Sequence, residues 1–217
     1  MDSVVPTPIG IIGGTGDQGR GLAYRFAKAG LDVLIGSRDE QRAKEIAAEF
    51  GIPNLRGGSN VTVAADCEIA IIAVPWSAHE LIVKELEPYL RGKIVVDCVN
   101  PLGFDEKGAY PLKVPEGSAC EQAQMLLPQS TVVGAFHNVS SVVLLDPEVN
   151  QMSVDVLVLG DDRLSTELIQ ALAEFLPGVR GIFGGRLRNS GQVEALTANL
   201  ISINRRYKVH SSLKITL

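Results

Sequence analysis

Short apolar runs alternate with amphipathic stretches along the first half of the chain. Residues 9–12 form a continuous apolar run of the length of a strand, and residues 31–36 form a second run, interrupted only by Asp32. The stretch 18–29 between them has helical spacing and ends at Gly30, a residue type that commonly stops a helix. A charged amphipathic stretch follows at 39–50 and ends before another glycine. This order predicts a strand, a helix, a second strand and a second helix.

The alternation continues to the end of the chain, and three of the later runs are almost wholly apolar. Such runs are typical of parallel strands buried on both faces of a sheet. Capping patterns at 77–80 and 118–121 predict the starts of two helices. Further strands are predicted at 68–75, 93–99, 130–136, 154–160 and around 181–183, and further helices at 77–90, from 118, at 163–176 and at about 190–207.

These elements predict an α/β fold, a Rossmann-type doubly wound and mainly parallel sheet with a small C-terminal α/β extension. With 217 residues, 46% of them hydrophobic, the chain suits one domain with an appendage. We expect residues 1–136 to form the Rossmann domain and residues 137–217 a smaller part that packs on it and completes the substrate cleft. The stretch 101–118 is rich in proline and glycine and is predicted to be a long loop beside the site.

Composition and charge argue against several classes of function. The net charge is −5 and aromatic residues make up 5%, which disfavours nucleic-acid binding and binding to an anionic membrane. The three cysteines form no CxxC pair, so we expect neither a disulfide framework nor a metal site. The same cysteine pattern favours a reducing cytoplasm. The apolar runs are short for a membrane span, and we find no signal-peptide pattern.

A glycine-rich segment follows the first predicted strand and opens the first predicted helix. Residues 14–19 match G-x-G-x-x-G, where Gly14 permits a tight turn and Gly16 a close approach of the backbone to a pyrophosphate. Gly19 would let the helix pack on the strand. The unpaired N–H groups and the dipole at a helix N-terminus favour an anion. The segment therefore predicts a dinucleotide site made of Gly14, Thr15, Gly16, Asp17, Gln18 and Gly19.

The residues after the second predicted strand indicate which dinucleotide binds. NAD sites usually place a carboxylate here for the ribose 2′-hydroxyl, whereas NADP sites accommodate the 2′-phosphate with arginine. This chain has Ser37 and Arg38 at the strand end and Arg42 one helical turn later. A hydroxyl and two guanidinium groups suit a phosphate dianion, so NADP(H) is the predicted cofactor. Ser37 also begins a capping pattern at 37–40, and the two roles are compatible.

Polar and aromatic residues follow the later predicted strands, at the sheet edge where doubly wound folds bind ligands. Trp76 either contacts the ligand or covers the core, and Asn100 is either a ligand contact or a turn residue. His137 is the acid–base candidate by position, although a lone histidine at a strand end is more often structural. We find no other catalytic constellation, which fits hydride transfer, where the cofactor supplies the chemistry.

Six segments resemble, in the same order, the NADPH-dependent reductases of the deazaflavin coenzyme F420. They are residues 13–30, 35–45, 73–76, 132–138, 160–162 and 188–197. The resemblance implies an NADP-dependent oxidoreductase that transfers a hydride between NADP(H) and the deazaflavin. It also implies a homodimer, with the two rings stacked in the cleft between the Rossmann domain and the C-terminal part.

The resemblance implies a role for each matching residue. Residues 15–18 would hold the pyrophosphate, Ser37, Arg38 and Arg42 the 2′-phosphate, and Val74 and the turn after it the nicotinamide side. His137 and Asn138 would border the deazaflavin pocket as substrate contacts. Asp17 stands where an amide would suit a pyrophosphate better, so we expect its carboxylate to point away from the phosphate. The expected cofactor contacts are Gly14, Thr15, Gly16, Asp17, Gln18, Gly19, Ser37, Arg38, Arg42, Val74, Pro75, Trp76, His79, Asn100 and Ala135.

Two other functions remain open at this point. An NADPH-dependent reductase of another acceptor, such as a flavin, ferric ion or a small carbonyl or imine compound, would use the same cofactor site. A non-catalytic NADP(H)-binding redox sensor would also use this site. That alternative stays open because the sequence shows no clear general acid.

Overall fold

The computed structural model describes residues 5–216. Residues 1–4 and 217 lie outside the described residues. They include the outer ends of the two predicted parts and the beginning of the N-terminal stretch that lacks a signal-peptide pattern. The first half of the chain consists of β1 (Ile9–Ile12), α1 (Asp17–Lys28), β2 (Val33–Ser37), α2 (Glu40–Glu49), β3 (Leu55–Ser59), α3 (Asn60–Asp66), β4 (Ile69–Ile72) and α4 (Trp76–Leu90).

The second half adds strands and helices of the same kind around one short hairpin. These elements are β5 (Ile94–Asp97), β6 (Leu102–Asp105), β7 (Gly108–Pro111), α5 (Ala119–Leu126), β8 (Thr131–Gly134), α6 (Ser141–Leu145), β9 (Val154–Leu159), α7 (Arg163–Ala173), β10 (Val179–Gly185) and α8 (Ser190–Tyr207). A 3-10 turn, Leu187–Asn189, leads into α8.

Eight strands form one sheet in the order β10-β9-β8-β5-β4-β1-β2-β3. Neighbouring strands pair in parallel, except that β8 and β9 meet in an antiparallel bridge between Gly134 and Leu159. The chain leaves β1 toward β2 on one side and returns to β4 on the other, which makes the β1/β4 boundary the switch point. The predicted α/β fold class with a mainly parallel, doubly wound sheet is confirmed.

The predicted division after residue 136 stays a prediction. Its second part does not form a separate sheet, because β9 and β10 extend the sheet that β1–β5 and β8 form. β9 pairs with β8 through the bridge at Leu159, and β10 pairs in parallel with β9.

The core lies in two apolar layers, one on each face of the sheet. Successive side chains of a strand point to opposite faces, so Ile11 of β1 packs in the layer of α1 and Ile12 packs in the layer of α4. Continuous apolar runs thus fill both layers, as expected of buried parallel strands. At the carboxyl ends of these strands the chain turns into the site.

Three predicted helix starts can be compared with the structure. Ser118 begins α5 as predicted, since its Oγ accepts a hydrogen bond from the Glu121 N–H over 3.0 Å. The start predicted from the 77–80 pattern is wrong, because α4 begins at Trp76 with Pro75 as its N-cap. α2 is capped by the Asp39 side chain, so the capping role considered for Ser37 is also wrong.

The sequence analysis missed β3, α3 and the five-residue α6, and it took a hairpin for a loop. β3 contains Gly57 and Gly58, which are typical of loops, yet Gly57 is needed because a side chain there would overlap the backbone of Ala43. α3 is only seven residues long, too short for a helical pattern to stand out. The predicted loop 101–118 contains the β6–β7 hairpin, whose strands pair antiparallel. Of the helices in residues 5–216, none combines the length and apolarity that a membrane span requires.

Candidate active site

The glycine loop between β1 and α1 is held by close packing at two of its glycines. Gly13 has φ +73°, and a Cβ there would lie 2.6 Å from Val74 Cγ1, so it is Gly13 rather than Gly14 that makes the tight turn. A Cβ on Gly19 would lie 2.6 Å from the Cα of Gly14, which agrees with the packing role expected of Gly19. Asn60 Oδ1 accepts a hydrogen bond from the Gly13 N–H at 3.2 Å and fixes the loop from α3.

The N-terminus of α1 offers backbone donors to an anion. Gly16 is the N-cap and has no side chain to cap the helix, so the first N–H groups of α1 keep their donor capacity. A Cβ on Gly16 would meet only the Gly13 carbonyl oxygen, at 3.7 Å, which leaves the backbone open on its outer side. These donors and the positive end of the helix dipole make a phosphate-binding N-terminus.

A cavity of about 890 Å³ extends from this loop across the carboxyl end of β2. Thr15, Gly16, Ser37, Arg38 and Arg42 line it. Both guanidinium groups are exposed, and neither forms an ion pair within residues 5–216. The five residues thus combine backbone donors, one hydroxyl and two free positive charges around one space.

Ser37 and the neighbouring Asp39 are oriented by local hydrogen bonds. Ser37 Oγ accepts from the Asp39 N–H at 3.1 Å, which leaves the hydroxyl hydrogen free to donate to an anion. Asp39 Oδ1 accepts from the Arg42 N–H at 3.1 Å. The carboxylate therefore serves the start of α2, and the positive groups are left to face the cavity.

A second cavity, of about 450 Å³, lies beyond the carboxyl ends of β4, β5 and β8 and is closed on one side by α8. It shares Gly16 and the stretch 73–75 with the first cavity, so the two form one continuous cleft. Asp17 and Gln18 face this second cavity, and Gln18 Nε2 donates to the Phe136 carbonyl at 3.3 Å. Its other predicted lining residues are Val74, Pro75, Trp76, Asn100, His137 and Asn138.

His79 does not reach the cleft. Its ring is fully buried, with Nε2 2.7 Å from Asp97 Oδ2 and Nδ1 2.8 Å from Gln122 Oε1. Gln122 donates its Nε2 to Glu116, which leaves its oxygen to accept, so both ring nitrogens of His79 donate. The predicted cofactor contact of His79 is not supported, because the protein engages both of its nitrogens.

His79 and Asp97 form a buried ion pair beneath Trp76. Burial alone would lower the pKa of His79, but the charge of Asp97 and its hydrogen bond outweigh that effect and raise the pKa. The rings of Trp76 and His79 lie 5.3 Å apart between centroids. Trp76 therefore both lines the cleft and covers a buried pair, which combines the two roles that the sequence left open.

His137 lines the cleft but is held as a neutral ring. Burial lowers its pKa to about 4, although the charge of Asp97 opposes this shift. Asn100 Nδ2 donates to the His137 carbonyl at 3.0 Å, so Asn100 Oδ1 faces His137 Nδ1 at 3.2 Å and accepts from it. His137 Nε2 is then free to accept from the Cys120 thiol at 3.7 Å. A neutral ring with both nitrogens engaged is a poor general acid, which favours a structural role for His137.

Phe136 and Asn138 shape the wall on either side of His137. Phe136 is fully buried with φ +63°, an uncommon conformation for a bulky residue, and it turns the chain out of β8 into the cleft. Asn138 Nδ2 donates to the Asp155 carbonyl at 2.9 Å. Its Oδ1 is buried and has no hydrogen-bond partner within residues 5–216, and the residue lines the cleft. Ala135 is fully buried and lines neither cavity, so its predicted cofactor contact is not supported.

The sequence analysis missed two polar residues of α8, one that holds the start of α5 and one that borders the cleft. Glu194 is buried, and its oxygens accept from the N–H groups of Ala119 and Cys120 at 3.0 and 3.2 Å, where they cap α5. Burial raises the pKa of Glu194 to about 7. Thr197 Oγ1 donates to the His137 carbonyl at 3.2 Å and ties α8 to the cleft wall. A carboxylate within an apolar helical stretch was the one available signal for Glu194.

Cys120, His137 and Glu194 each place one metal-ligand atom within 4.8 Å of the others. Hydrogen bonds already engage these groups, since Glu194 caps α5 and His137 pairs with Asn100. Burial raises the pKa of the Cys120 thiol well above its usual value, so the thiolate that a metal requires is disfavoured. Packing and hydrogen bonding account for the cluster.

Comparisons with known proteins agree with this geometry. The family described as NADP oxidoreductase, coenzyme F420-dependent, matches residues 8–101. The F420-dependent NADP reductase of Methanocaldococcus jannaschii is 39% identical over 210 residues, which cover 92% of this chain and 93% of that protein. The protein of the same name from Methanothermobacter thermautotrophicus is 36% identical over 223 residues, 98% of this chain and 95% of its own.

A crystal structure from Arthrobacter sp. FB24, described as that of an F420-dependent NADP reductase, has a similar fold. It superposes with a TM-score of 0.83 at 25% sequence identity, over 96% of this chain and 99% of that one. The agreement thus extends past residues 8–101 to the part of the chain that contains α8.

Proposed function

Because this chain belongs to the F420-dependent NADP reductase family, we propose that it transfers a hydride between NADP(H) and coenzyme F420 in the cleft described above. The observation that carries the proposal is the continuity of the two cavities at Gly16 and residues 73–75. One cavity has the chemistry of a dinucleotide phosphate site and the other that of a ring site. A hydride donor and its acceptor would therefore meet at the shared boundary.

The dinucleotide would lie along the carboxyl ends of β1 and β2. The first N–H groups of α1 would bind the pyrophosphate, and Gly16 leaves the backbone open on the side from which the anion would approach. Ser37, Arg38 and Arg42 would bind the 2′-phosphate with one hydroxyl and two charges. Asp17 faces the other cavity, which supports the expectation that its carboxylate points away from the pyrophosphate.

The nicotinamide ring would lie against Val74 and Pro75, where the two cavities meet. When bound, NADPH supplies the hydride to the deazaflavin ring. The protein then has to hold the two rings in contact and exclude water, and such positioning accounts for several kcal/mol of a barrier. Trp76, resting on the His79–Asp97 pair, and His137, held neutral by burial, would form rigid walls for this purpose.

The acceptor ring would occupy the side of the cleft between His137 and α8. The unpaired Asn138 Oδ1 would accept a hydrogen bond from a ring N–H group of the deazaflavin. Leaving a buried acceptor unpaired costs about 1–3 kcal/mol, and a bound ring donor would remove that cost. Asn138 thus gives the ring site a polar anchor.

A stopped-flow experiment tests the acceptor. Mixing the protein with NADPH and coenzyme F420 should bleach the deazaflavin absorbance in a single turnover, while NADH should act much more slowly. Free flavin, ferric ion and a small imine serve as competing acceptors under the same conditions. Turnover with one of these but not with F420 would assign another reductase, and tight NADPH binding with no turnover would assign a redox sensor.

We also propose that the protein acts as a homodimer in the cytoplasm. Its three cysteines are buried free thiols, the state that a reducing compartment maintains. The exposed large apolar side chains include Met125 on α5 and Tyr207 on α8, each 69% exposed, and a second copy would cover such a surface. Light scattering coupled to size exclusion should give twice the mass of the chain, and a monomer mass would refute the dimer.

A further inference from the structure

A groove outside the two cavities lies between the β6–β7 hairpin and the C-terminal half of α8. Its volume is about 600 Å³, and we call it the tail groove, lined among others by Phe104, Lys107, Gly108, Ile201, Arg205 and Arg206. Ile201 also lines the ring side of the cleft. The tail groove is therefore a continuation of the acceptor site toward the protein surface.

Successive turns of α8 line first the cleft and then the tail groove. Thr197, Ile201 and Arg205 are spaced four residues apart and thus lie on one face of the helix. Thr197 borders the ring site and Arg205 borders the tail groove. At a rise of 1.5 Å per residue the two positions are about 12 Å apart along the helix. A ligand with a ring at Thr197 and a chain running along α8 would reach Arg205.

The tail groove carries free positive charge in an acidic protein. Lys107, Arg205 and Arg206 are exposed, and none of them forms an ion pair within residues 5–216, whereas the whole chain has a net charge of −5. Two carboxylates, Asp105 and Glu106, are also present in the lining. Asp105 Oδ1 accepts hydrogen bonds from two N–H groups of the hairpin turn, at 2.8 and 3.1 Å.

The helix dipole explains part of this arrangement but not all of it. Basic residues in the last turn of α8 stabilise its C-terminus wherever they point. The dipole does not require that a hairpin from another part of the chain face them across a groove. Gly108 of that hairpin has φ +123° and no side chain, and a Cβ there would lie 4.0 Å from Arg205 Nη1. The bare turn thus leaves the guanidinium group accessible from the groove.

We propose that the tail groove binds the anionic tail of the deazaflavin substrate, through Arg205, Arg206 and Lys107. The tail of coenzyme F420 is a phosphodiester followed by carboxylates, and guanidinium groups pair with both. This inference rests on the proposed function, since it assigns a second binding region to the same acceptor. The ring is selected in the cleft, and the tail contacts set how well the full coenzyme binds relative to its ring alone.

Steady-state kinetics with two acceptors tests the proposal. The probes are coenzyme F420 and the tail-free deazaflavin, which retains the ring and the ribityl chain, each at saturating NADPH. In the double variant Arg205→Gln with Arg206→Gln, KM for F420 should rise about tenfold, the fold-change that corresponds to 1.4 kcal/mol. KM for the tail-free deazaflavin, KM for NADPH and kcat should stay unchanged. Added salt should raise KM for F420 more in the wild type than in the variant.

Arg188→Gln is the control for a lost surface charge. It removes one exposed positive charge in the turn before α8, outside the tail groove, against two in the double variant, and its KM for F420 should match the wild type. Equal KM values for the two acceptors in the wild type, or an equal rise for both in the double variant, would overturn the tail site. A change in oligomeric state with unchanged KM would assign the groove to a subunit interface instead. Reduction of neither deazaflavin would refute the proposed function itself, which is a different result.

Discussion

The two halves of the cleft are built in different ways. The dinucleotide half uses residues 13–42, which are close in sequence, and it presents backbone N–H groups and exposed charges such as Arg38 and Arg42. The acceptor half draws its wall from the segments that follow β4, β5 and β8 and from α8, and its polar groups are mostly buried and bonded to one another. One half therefore recognises its ligand by free donors, and the other by a fixed shape.

This difference assigns different energetic roles to polar residues. In the dinucleotide half a lost side chain removes an interaction with the ligand, and the fold keeps its stability because the group was exposed. In the acceptor half a lost partner leaves a buried polar or charged group unpaired, which costs stability as well as function. Substitutions in the two halves should thus separate in binding and unfolding measurements.

The largest effect is expected where the two halves touch, at Gly13. Gly13→Ala would force a left-handed alanine against Val74 and Ala73, whose carbonyl oxygen would lie 2.9 Å from the new Cβ. A displaced loop would lose roughly two hydrogen bonds from its N–H groups to the pyrophosphate, at about 1.5–3 kcal/mol each, so NADPH affinity should fall at least about a hundredfold. Stability should also fall by about 2 kcal/mol, within the range for overpacking. Fluorescence titration with NADPH and urea unfolding measure the two losses.

Gly51→Ala separates backbone strain from crowding. Gly51 has φ +64°, close to that of Gly13, but no atom lies within 4 Å of a Cβ built there. Its variant should lose about 1 kcal/mol of stability and bind NADPH normally. If both variants bound NADPH equally well, the close packing of the glycine loop would have no part in forming the site.

The second largest effect is expected in the buried acceptor half, and it concerns the stability of the fold at acid pH. His137 has its pKa lowered to about 4 by burial, against an unfolded value of 6.5. Its contribution to stability is complete above pH 6.5 and is lost as the pH falls toward 4, because the unfolded chain takes up the proton first. The full loss amounts to roughly 3 kcal/mol. His137→Gln should therefore lose less stability than the wild type between about pH 7 and about pH 4.5 in urea unfolding.

The wild-type curve contains other groups, so the difference between the two proteins is the relevant quantity. Cys120, Asp97 and Glu194 face His137 from α5, β5 and α8, and they remain in both proteins. His79 has its pKa raised, so its contribution has the opposite sign: it is complete below pH 6.5 and is lost as the pH rises through the raised value. Parallel curves for wild type and variant would contradict the buried neutral state of His137.

The same contrast explains how much of the molecule the sequence could predict. The sheet, most helices and the dinucleotide loop follow from local patterns, because continuous apolar runs and closely spaced glycines have local causes. The sequence analysis assigned the tight turn to Gly14, whereas Gly13 adopts the positive φ. Only the packing against Val74 reveals which of the two glycines does so. Asp39 caps α2 in place of the predicted Ser37, because neighbouring capping residues compete for the same N–H groups.

The acceptor half could be predicted only in outline. His137 and Asn138 were found by their position after a strand, but the partners that decide their state come from distant elements. Asn100 is 37 residues from His137 in the sequence and Thr197 is 60 residues away. His79 was assigned to the cofactor because the start of a helix near a strand end is usually exposed, and its burial depends on Asp97 and Gln122. Such long-range pairing leaves no periodic signal in one sequence.

The smallest effect is expected at Arg38, and it should be selective. Arg38→Ala removes one exposed charge from the space beside Ser37, so the fold should keep its stability. A charge-assisted contact with a phosphate contributes about 2 kcal/mol, which corresponds to about a thirtyfold loss of NADPH affinity. NADH lacks the 2′-phosphate, so its affinity should change less than about twofold on the same grounds. Lys44→Ala on α2 is the matched control, because Lys44 pairs with Glu40 at 2.6 Å and lies outside the cavity lining. Equal losses for NADPH and NADH would mean that Arg38 acts through the loop rather than on the phosphate, and the contrast between an exposed recognition half and a buried positioning half would fail at its clearest residue.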